Sequence, residues 1–285
     1  MPIDIGSLIK PASGASPYIK FCIYGEPGCG KTTLAASAPK PLLVDTERGA
    51  NALVKDENLR NTPTIRRTSL QEMLELIDYL RGPGGEQYDT IIIDTMSELN
   101  KLFLDSVIRD KDARLDAFTV PDGGYEKRNQ QGRRLLADLL ALPKHIILLS
   151  HVETVKINNT DCKVPQVSPK IREGILGLMD VVGYMYVATE PAPTPTNPTA
   201  INKIRRIQTL RTPTVDAKNR LDVPDVMDSP TIQLFMDAHF KNMAQTKLPD
   251  EQLVLPITPG LHNSTPIPQF VTTTASTTLP IGLKI

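Results

Sequence analysis

The sequence predicts an α/β fold: a mainly parallel sheet covered by helices on both faces. Short apolar runs near residues 18–24, 41–45, 88–94 and 145–150 have strand length and end in polar or acidic residues, as strands buried on both faces do. Amphipathic helical patterns stand between them, so strand and helix alternate along the chain. The first run leads directly into Gly25-Glu26-Pro27-Gly28-Cys29-Gly30-Lys31-Thr32, a glycine-rich turn that opens a helix. In a sheet of this kind the reactive residues gather at the carboxyl ends of the strands.

Residues 1–16 hold Gly, Ser and Pro without periodicity and read as a lead-in arm; the expected domain spans 17–243. Its first strand, 18–24, is rich in β-branched and aromatic residues, and the helix after the turn ends at Pro39. Leu42, Leu43 and Val44 form a buried strand closing on Asp45-Thr46-Glu47. Ser69-Leu70-Gln71-Glu72 has the form of a capping box, and Leu70, Met73, Leu74, Ile77 and Leu80 follow at helical spacing until the glycines at 82–85. The strand 88–94 closes on Asp94 and is expected beside the first strand; Ser97 is the expected N-cap of a helix running to about Arg109. Residues 110–124 read as loop, 125–142 as helix and 145–150 as a buried strand ending in Ser150-His151. A polar loop over 152–168 precedes a helix over about 169–179, with Ser168-Pro169 as N-cap and first position. Strands over 181–187 and 201–210 flank a proline-rich connector, and a helix near 230–242 closes the domain. Residues 244–285 hold 8 Thr and 6 Pro but only 4 charged residues, the composition of a flexible tail.

Lys+Arg and Asp+Glu both number 32, so no global field draws the chain to nucleic acid and any such site is a local patch. Three cysteines without C-x-x-C spacing and four scattered histidines argue against a disulfide framework or a metal cluster. No charged-then-apolar leader and no apolar run near 18 residues are present; a soluble cytoplasmic protein with no membrane partner is expected.

The stretch 25–32 fits G-x-x-x-x-G-K-[ST] with a strand before it and a helix after it. Its glycines let successive N–H groups point inward at phosphate oxygens. The expected nucleotide contacts are Gly25, Glu26, Pro27, Gly28, Cys29, Gly30, Lys31, Thr32 and Thr33, with Lys31 on the β- and γ-phosphates. The Thr32 hydroxyl is an expected Mg²⁺ ligand, and Asp94 is expected to hold the same ion through water.

The strand Leu43-Val44-Asp45-Thr46-Glu47 resembles that of RecA/RadA-type ATPases, where a glutamate after the strand following the phosphate-loop helix orients the attacking water. Glu47 precedes Asp94, which keeps that order. In AAA+ enzymes the glutamate directly follows the magnesium aspartate; here Thr95 stands there, which points away from AAA+. Ser150-His151 takes the place of the RecA-type sensor pair, commonly Asn-Gln. Lys218-Asn219-Arg220 resembles the Lys-x-Arg element of RadA- and DnaB-type rings, whose cations reach a neighbouring subunit's nucleotide; the same three residues also read as an exposed basic turn. Over about residues 18–222 the order of motifs is similar to phage-encoded RecA-like proteins of the Sak-type single-strand annealing group.

That resemblance implies a RecA-like P-loop core using ATP and Mg²⁺, with Lys31, Glu47, Ser150, His151, Lys218 and Arg220 as catalytic residues. It implies self-association into a ring or filament, single-stranded DNA as substrate, a single-stranded-DNA-binding protein as further partner, and a host bacterial cytoplasm. Two loops would face DNA: 109–132, with Arg109, Lys111, Arg114, Lys127 and Arg128, and 153–172, with Lys156, Lys163, Lys170 and Arg172. Neither is strongly basic, and a solvated mixed-charge surface competes with the DNA reading. A DNA motor or loader ATPase, such as a helicase-like or packaging ring, and a nucleotide-gated assembly switch without DNA are the alternatives.

Overall fold

A computed structural model describes residues 16–47, 49–66, 69–111, 123–193 and 199–245. All but one residue of the expected N-terminal arm, nearly all of the expected tail, and residues 112–122 of the first basic loop, with Arg114, lie outside these residues.

Six strands run parallel. They are β1 (Lys20–Gly25), β2 (Pro41–Asp45), β3 (Thr64–Arg66), β4 (Thr90–Asp94), β5 (His145–Ser150) and β8 (Val181–Pro191), in the order β8-β1-β5-β4-β2-β3. Between β5 and β8 the chain forms a separate hairpin, β6 (Val152–Ile157) and β7 (Thr160–Pro165). Three antiparallel strands finish the large sheet. β9 (Ile201–Gln208) pairs with β8, β11 (Val226–Asp228) with β9, and the two-residue β10 (Lys218–Asn219) with the start of β8.

The expected neighbourhood of the Asp94 strand is corrected: β4 lies between β5 and β2, and β5 takes the place beside β1. The crossover from β1 to β2 leaves room for two strands, which β4 and then β5 fill. Local sequence does not encode that choice.

Alternation along the strands sends successive side chains to opposite faces. Tyr24, Val44, Ile91, Ile93, Ile146 and Leu148 face α2 (Leu70–Arg81), α3 (Met96–Lys111), α4 (Gly124–Leu140) and α5 (Pro169–Leu178). Phe21, Ile23, Leu43, Ile92, Ile147 and Leu149 face α1 (Lys31–Ala36), the 3₁₀ turn Gly49–Lys55 and α6 (Ile232–Gln245). Phe235 of α6 lies with its ring centroid 4.6 Å from that of Phe21. Both faces are therefore covered, as the apolar strand interiors require.

The capping box at Ser69 forms: its hydroxyl accepts from Glu72 N at 3.2 Å and its N–H donates to the Glu72 carboxylate at 2.6 Å. Ser97 is not a cap. α3 starts one residue earlier, the Thr95 hydroxyl accepts from Glu98 N, and Ser97 is buried with its hydroxyl on Gln166 O. The expected polar loop over 152–168 is largely the hairpin β6–β7. Asn158 (φ 50°) and Asn159 (φ 62°) supply the two left-handed residues that a tight hairpin turn needs. β8 runs past the expected end at 187 and forms a second long hairpin with β9. At the α4–β5 junction the buried Lys144 donates to Gly85 O at 2.8 Å and Tyr88 O at 2.7 Å.

Candidate functional site

β1 ends at Gly25, whose Cα pairs with Met185 of β8. The two backbones pass so closely that a Cβ at Gly25 would lie 2.0 Å from the Met185 carbonyl oxygen. The loop then turns through Gly28 (φ 79°) and Gly30 (φ 103°), both in the left-handed region that glycine enters without steric cost. Lys31 is buried and lies back across the loop, its Nζ donating to Gly25 O at 2.8 Å and Glu26 O at 2.9 Å. The Cys29 thiol is buried, which raises its pKa and keeps it protonated. The Thr32 hydroxyl donates to Asp94 Oδ2 at 2.7 Å. The loop and the end of β4 meet here although their strands are not neighbours.

Asp94 is buried, and desolvation pushes its carboxyl up to about 6; the Thr32 hydroxyl pulls the other way and the charge of Glu47 adds to the rise. Asp45, the other acid at this edge, is engaged: its carboxylate accepts from Gly49 N at 2.7 Å and Ala50 N at 3.1 Å, tying down the 3₁₀ turn. Thr46 joins the strand ends through its hydroxyl, which donates to Asp94 O at 3.0 Å and accepts from Thr95 N at 2.9 Å. The Asp94–Thr95 peptide bond is cis. Glu47 is held from two sides. The Thr95 hydroxyl donates to its Oε1, and His151 Nε2 lies 2.9 Å from both carboxylate oxygens.

A hydroxyl and a carboxylate 2.7 Å apart beside a phosphate-binding turn form a hard-oxygen pair of the kind Mg²⁺ takes together with phosphate oxygens and waters. A buried carboxylate held up near 6 is also what a divalent cation would relieve. The residues fit the ion. Among the described residues no group of three or more His, Cys, Asp or Glu offers an all-protein metal site.

Residues 18–221 match the model of the family AAA_24, described as an AAA domain. The chain belongs to this AAA domain family. A search of curated proteins gave no match. The family is one of P-loop NTPases, and the chemistry of such a domain is nucleotide binding and hydrolysis. Thr95 taken alone points away from AAA enzymes, and the family match corrects that inference. One position after the aspartate does not decide the class, because a glutamate can come from another strand: Glu47, from the end of β2, accepts from the Thr95 hydroxyl itself. Among the described residues no helix is long and apolar enough to cross a membrane.

The remaining expected residues of this AAA domain are spread more widely. Ser150 is buried and turned inward, with its hydroxyl on His151 O and 3.3 Å from Ser97 Oγ. Lys218 opens β10 and Arg220 follows it; β10 pairs with the first residues of β8 and so lies at the sheet edge opposite the loop. Both bind the end of α5: Lys218 Nζ donates to Leu176 O and Gly177 O, and Arg220 Nη2 to Gly177 O at 3.1 Å. Most of the basic residues expected to face DNA have partners within the chain. Arg172 pairs with Glu153 at 2.6 Å, Lys170 with Glu126 at 2.8 Å, and Lys163 with the Tyr184 hydroxyl, while Arg128 bonds Asn129 over the Tyr125 ring. Lys127 is also engaged, and Lys156 is exposed on the hairpin. The backbone at Arg109 and Lys111 belongs to α3.

Sequence reasoning missed Thr46, Thr95 and Arg205. The Arg205 side chain lies against the loop, and a Cβ at Gly30 would fall 2.8 Å from its Nε. The available signal was the alternation in Asn202-Lys203-Ile204-Arg205-Arg206-Ile207, which places Lys203 and Arg205 on one face of a strand.

Proposed function

We propose that the chain is a Mg²⁺-dependent ATPase with a RecA-like site, in which Glu47 activates the attacking water. The observation that carries this reading is that Thr32 at the start of α1, Asp94 at the end of β4 and Glu47 just after β2 converge at one sheet edge, with Glu47 oriented by Thr95 and His151. Lys31 exchanges its two loop carbonyls for the β- and γ-phosphate oxygens, a stronger charge-assisted pairing. Thr32 directly and Asp94 through water would hold a magnesium ion, which would supply charge neutralisation along the phosphates. Glu47 accepts the water's proton or its hydrogen bond, and its two partners restrict the carboxylate to one orientation.

The finer reading follows the resemblance over 18–222. The ATPase acts on single-stranded DNA in annealing or recombination, assembles subunit to subunit, and works with a single-stranded-DNA-binding protein in a phage-infected cytoplasm. The position of Lys218 and Arg220 supports assembly, since any nucleotide they reach belongs to a neighbour. The internal pairing of Lys163, Lys170 and Arg172 favours a second reading, a nucleotide-gated assembly switch without DNA. Lys31→Ala tests the ATPase: hydrolysis should be abolished and nucleotide binding weakened, and near-normal turnover would sink the assignment. A gel shift with single strands, with and without ATP, separates the two finer readings.

A further inference from the structure

β1 stops at Gly25, opposite Met185, but β8 continues to Pro191 and carries β9 with it. The last part of this hairpin therefore overhangs the loop. Cross-strand pairing sets its inner face: Met185 stands opposite Ile207, Val187 opposite Arg205 and Thr189 opposite Lys203. With Leu34 of α1 and its C-cap Ser37, and with Leu59 and Pro230, the overhang lines a cavity of about 1020 Å³ that reaches Gly28, Gly30 and Thr33. That volume suits a nucleoside polyphosphate.

We infer that the β8–β9 overhang forms the nucleoside side of the nucleotide site, and that Arg205 binds the nucleotide's phosphates from its own subunit. The inference rests on the nucleotide-binding reading above. Arg205 lies against the backbone of Gly30, within the loop whose N–H groups face phosphate, and it has no ion pair or hydrogen bond among the described residues. Arg206, one position on, points to the other face and is fully engaged by Glu190 and Asp228. Of these two adjacent arginines, one is a strut of the sheet and the other carries a charge available to a ligand. Asp56 and Asn58 line the same cavity as Arg205 and Lys203 and offer hydrogen-bond acceptors suited to ribose hydroxyls or base amino groups.

The test is a fluorescence titration of mant-ADP into the full chain, as wild type, Lys31→Ala, Arg205→Ala and Arg205→Lys, with tripolyphosphate as a competitor lacking the nucleoside. Arg205→Ala should weaken mant-ADP and tripolyphosphate alike, by roughly 10- to 100-fold, the loss of one charge-assisted contact. Arg205→Lys should recover part of this, and the melting temperature without ligand should stay at the wild-type value because the side chain is exposed. Unchanged affinities in Arg205→Ala overturn the inference. Loss on mant-ADP alone also overturns it, since Arg205 would then be holding the nucleoside. If wild type binds mant-ADP and Lys31→Ala does not, the nucleotide reading stands whatever Arg205 does. If wild type binds none, both fall.

Discussion

Glu47→Gln isolates the chemical step from binding. The amide has the shape of the carboxylate, so its oxygen can still accept from the Thr95 hydroxyl and its NH₂ can donate to His151 Nε2, which lies 2.9 Å from both oxygens in the wild type. The orientation is kept and only the ability to take a proton is lost. A general base contributes about 10²- to 10⁴-fold, or roughly 3–5 kcal/mol of barrier at about 1.4 kcal/mol per decade. Turnover should fall by that factor. Nucleotide affinity should stay within about twofold, because the Lys31 and Thr32 contacts are untouched and the loss is confined to the transition state. Phosphate release measured beside a mant-ADP titration on the same preparation reads both quantities. Glu98→Gln is the control: Glu98 lies in the first turn of α3 and pairs with Lys101, so its loss should leave turnover near wild type. Glu47→Gln protein hydrolysing ATP within tenfold of wild type would refute the reasoning. So would an inactive Glu98→Gln, which would move the base from the end of β2 to the first turn of α3.

Arg220→Ala loses one hydrogen bond to the α5 end, worth about 0.5–1 kcal/mol, so a melt should shift by only a few degrees. If it also serves a neighbour, hydrolysis should drop about 10³-fold or more, and mixing with Lys31→Ala should restore part of it; a mixture as inactive as its parents, despite subunit exchange, leaves only the helix-capping role. Lys156→Ala should lower the salt slope of single-strand binding by about one, and an unaltered slope would put the DNA path elsewhere. Lys144→Ala strips the charged donor from two carbonyls at a buried junction and should cost about 2–4 kcal/mol, or roughly 5–15 °C in melting temperature for a domain of this size; a shift under about 2 °C would mean that water replaces the ammonium without loss.

Features written in neighbouring residues were legible. The loop, the capping box at Ser69, the buried strand runs and the closing helix over 232–245 each follow from local pattern, and the acids at 45, 47 and 94 mark strand ends in the structure. What could not be read was set by partners far along the chain. The place of β4 depends on which strand fills the gap beside β1. Lys218 and Arg220 find the α5 carbonyls some forty residues back. The hairpin β6–β7 was hidden for a different reason: Asn158-Asn159 is a turn signal, but along its polar strands the buried positions are Cys162, Val164 and Pro165 alone, all on β7. Alternation puts Arg205 and Arg206 on opposite faces of a strand, but only the pairing with β8 shows which face meets the loop.

Gly25 sets a limit on how this site can change by mutation. The Met185 carbonyl occupies the space a side chain would need, so even alanine there would push β8 away from β1. The same displacement would lift the whole overhang, with Arg205, off the loop. A single atom's clearance thus couples two parts of the site that are 180 residues apart, and a lineage could not alter one while keeping the other. In a saturation screen, position 25 should tolerate nothing but glycine. Gly28, whose Cβ would meet nothing within 4 Å, should admit asparagine or aspartate, the side chains that best accept a positive φ.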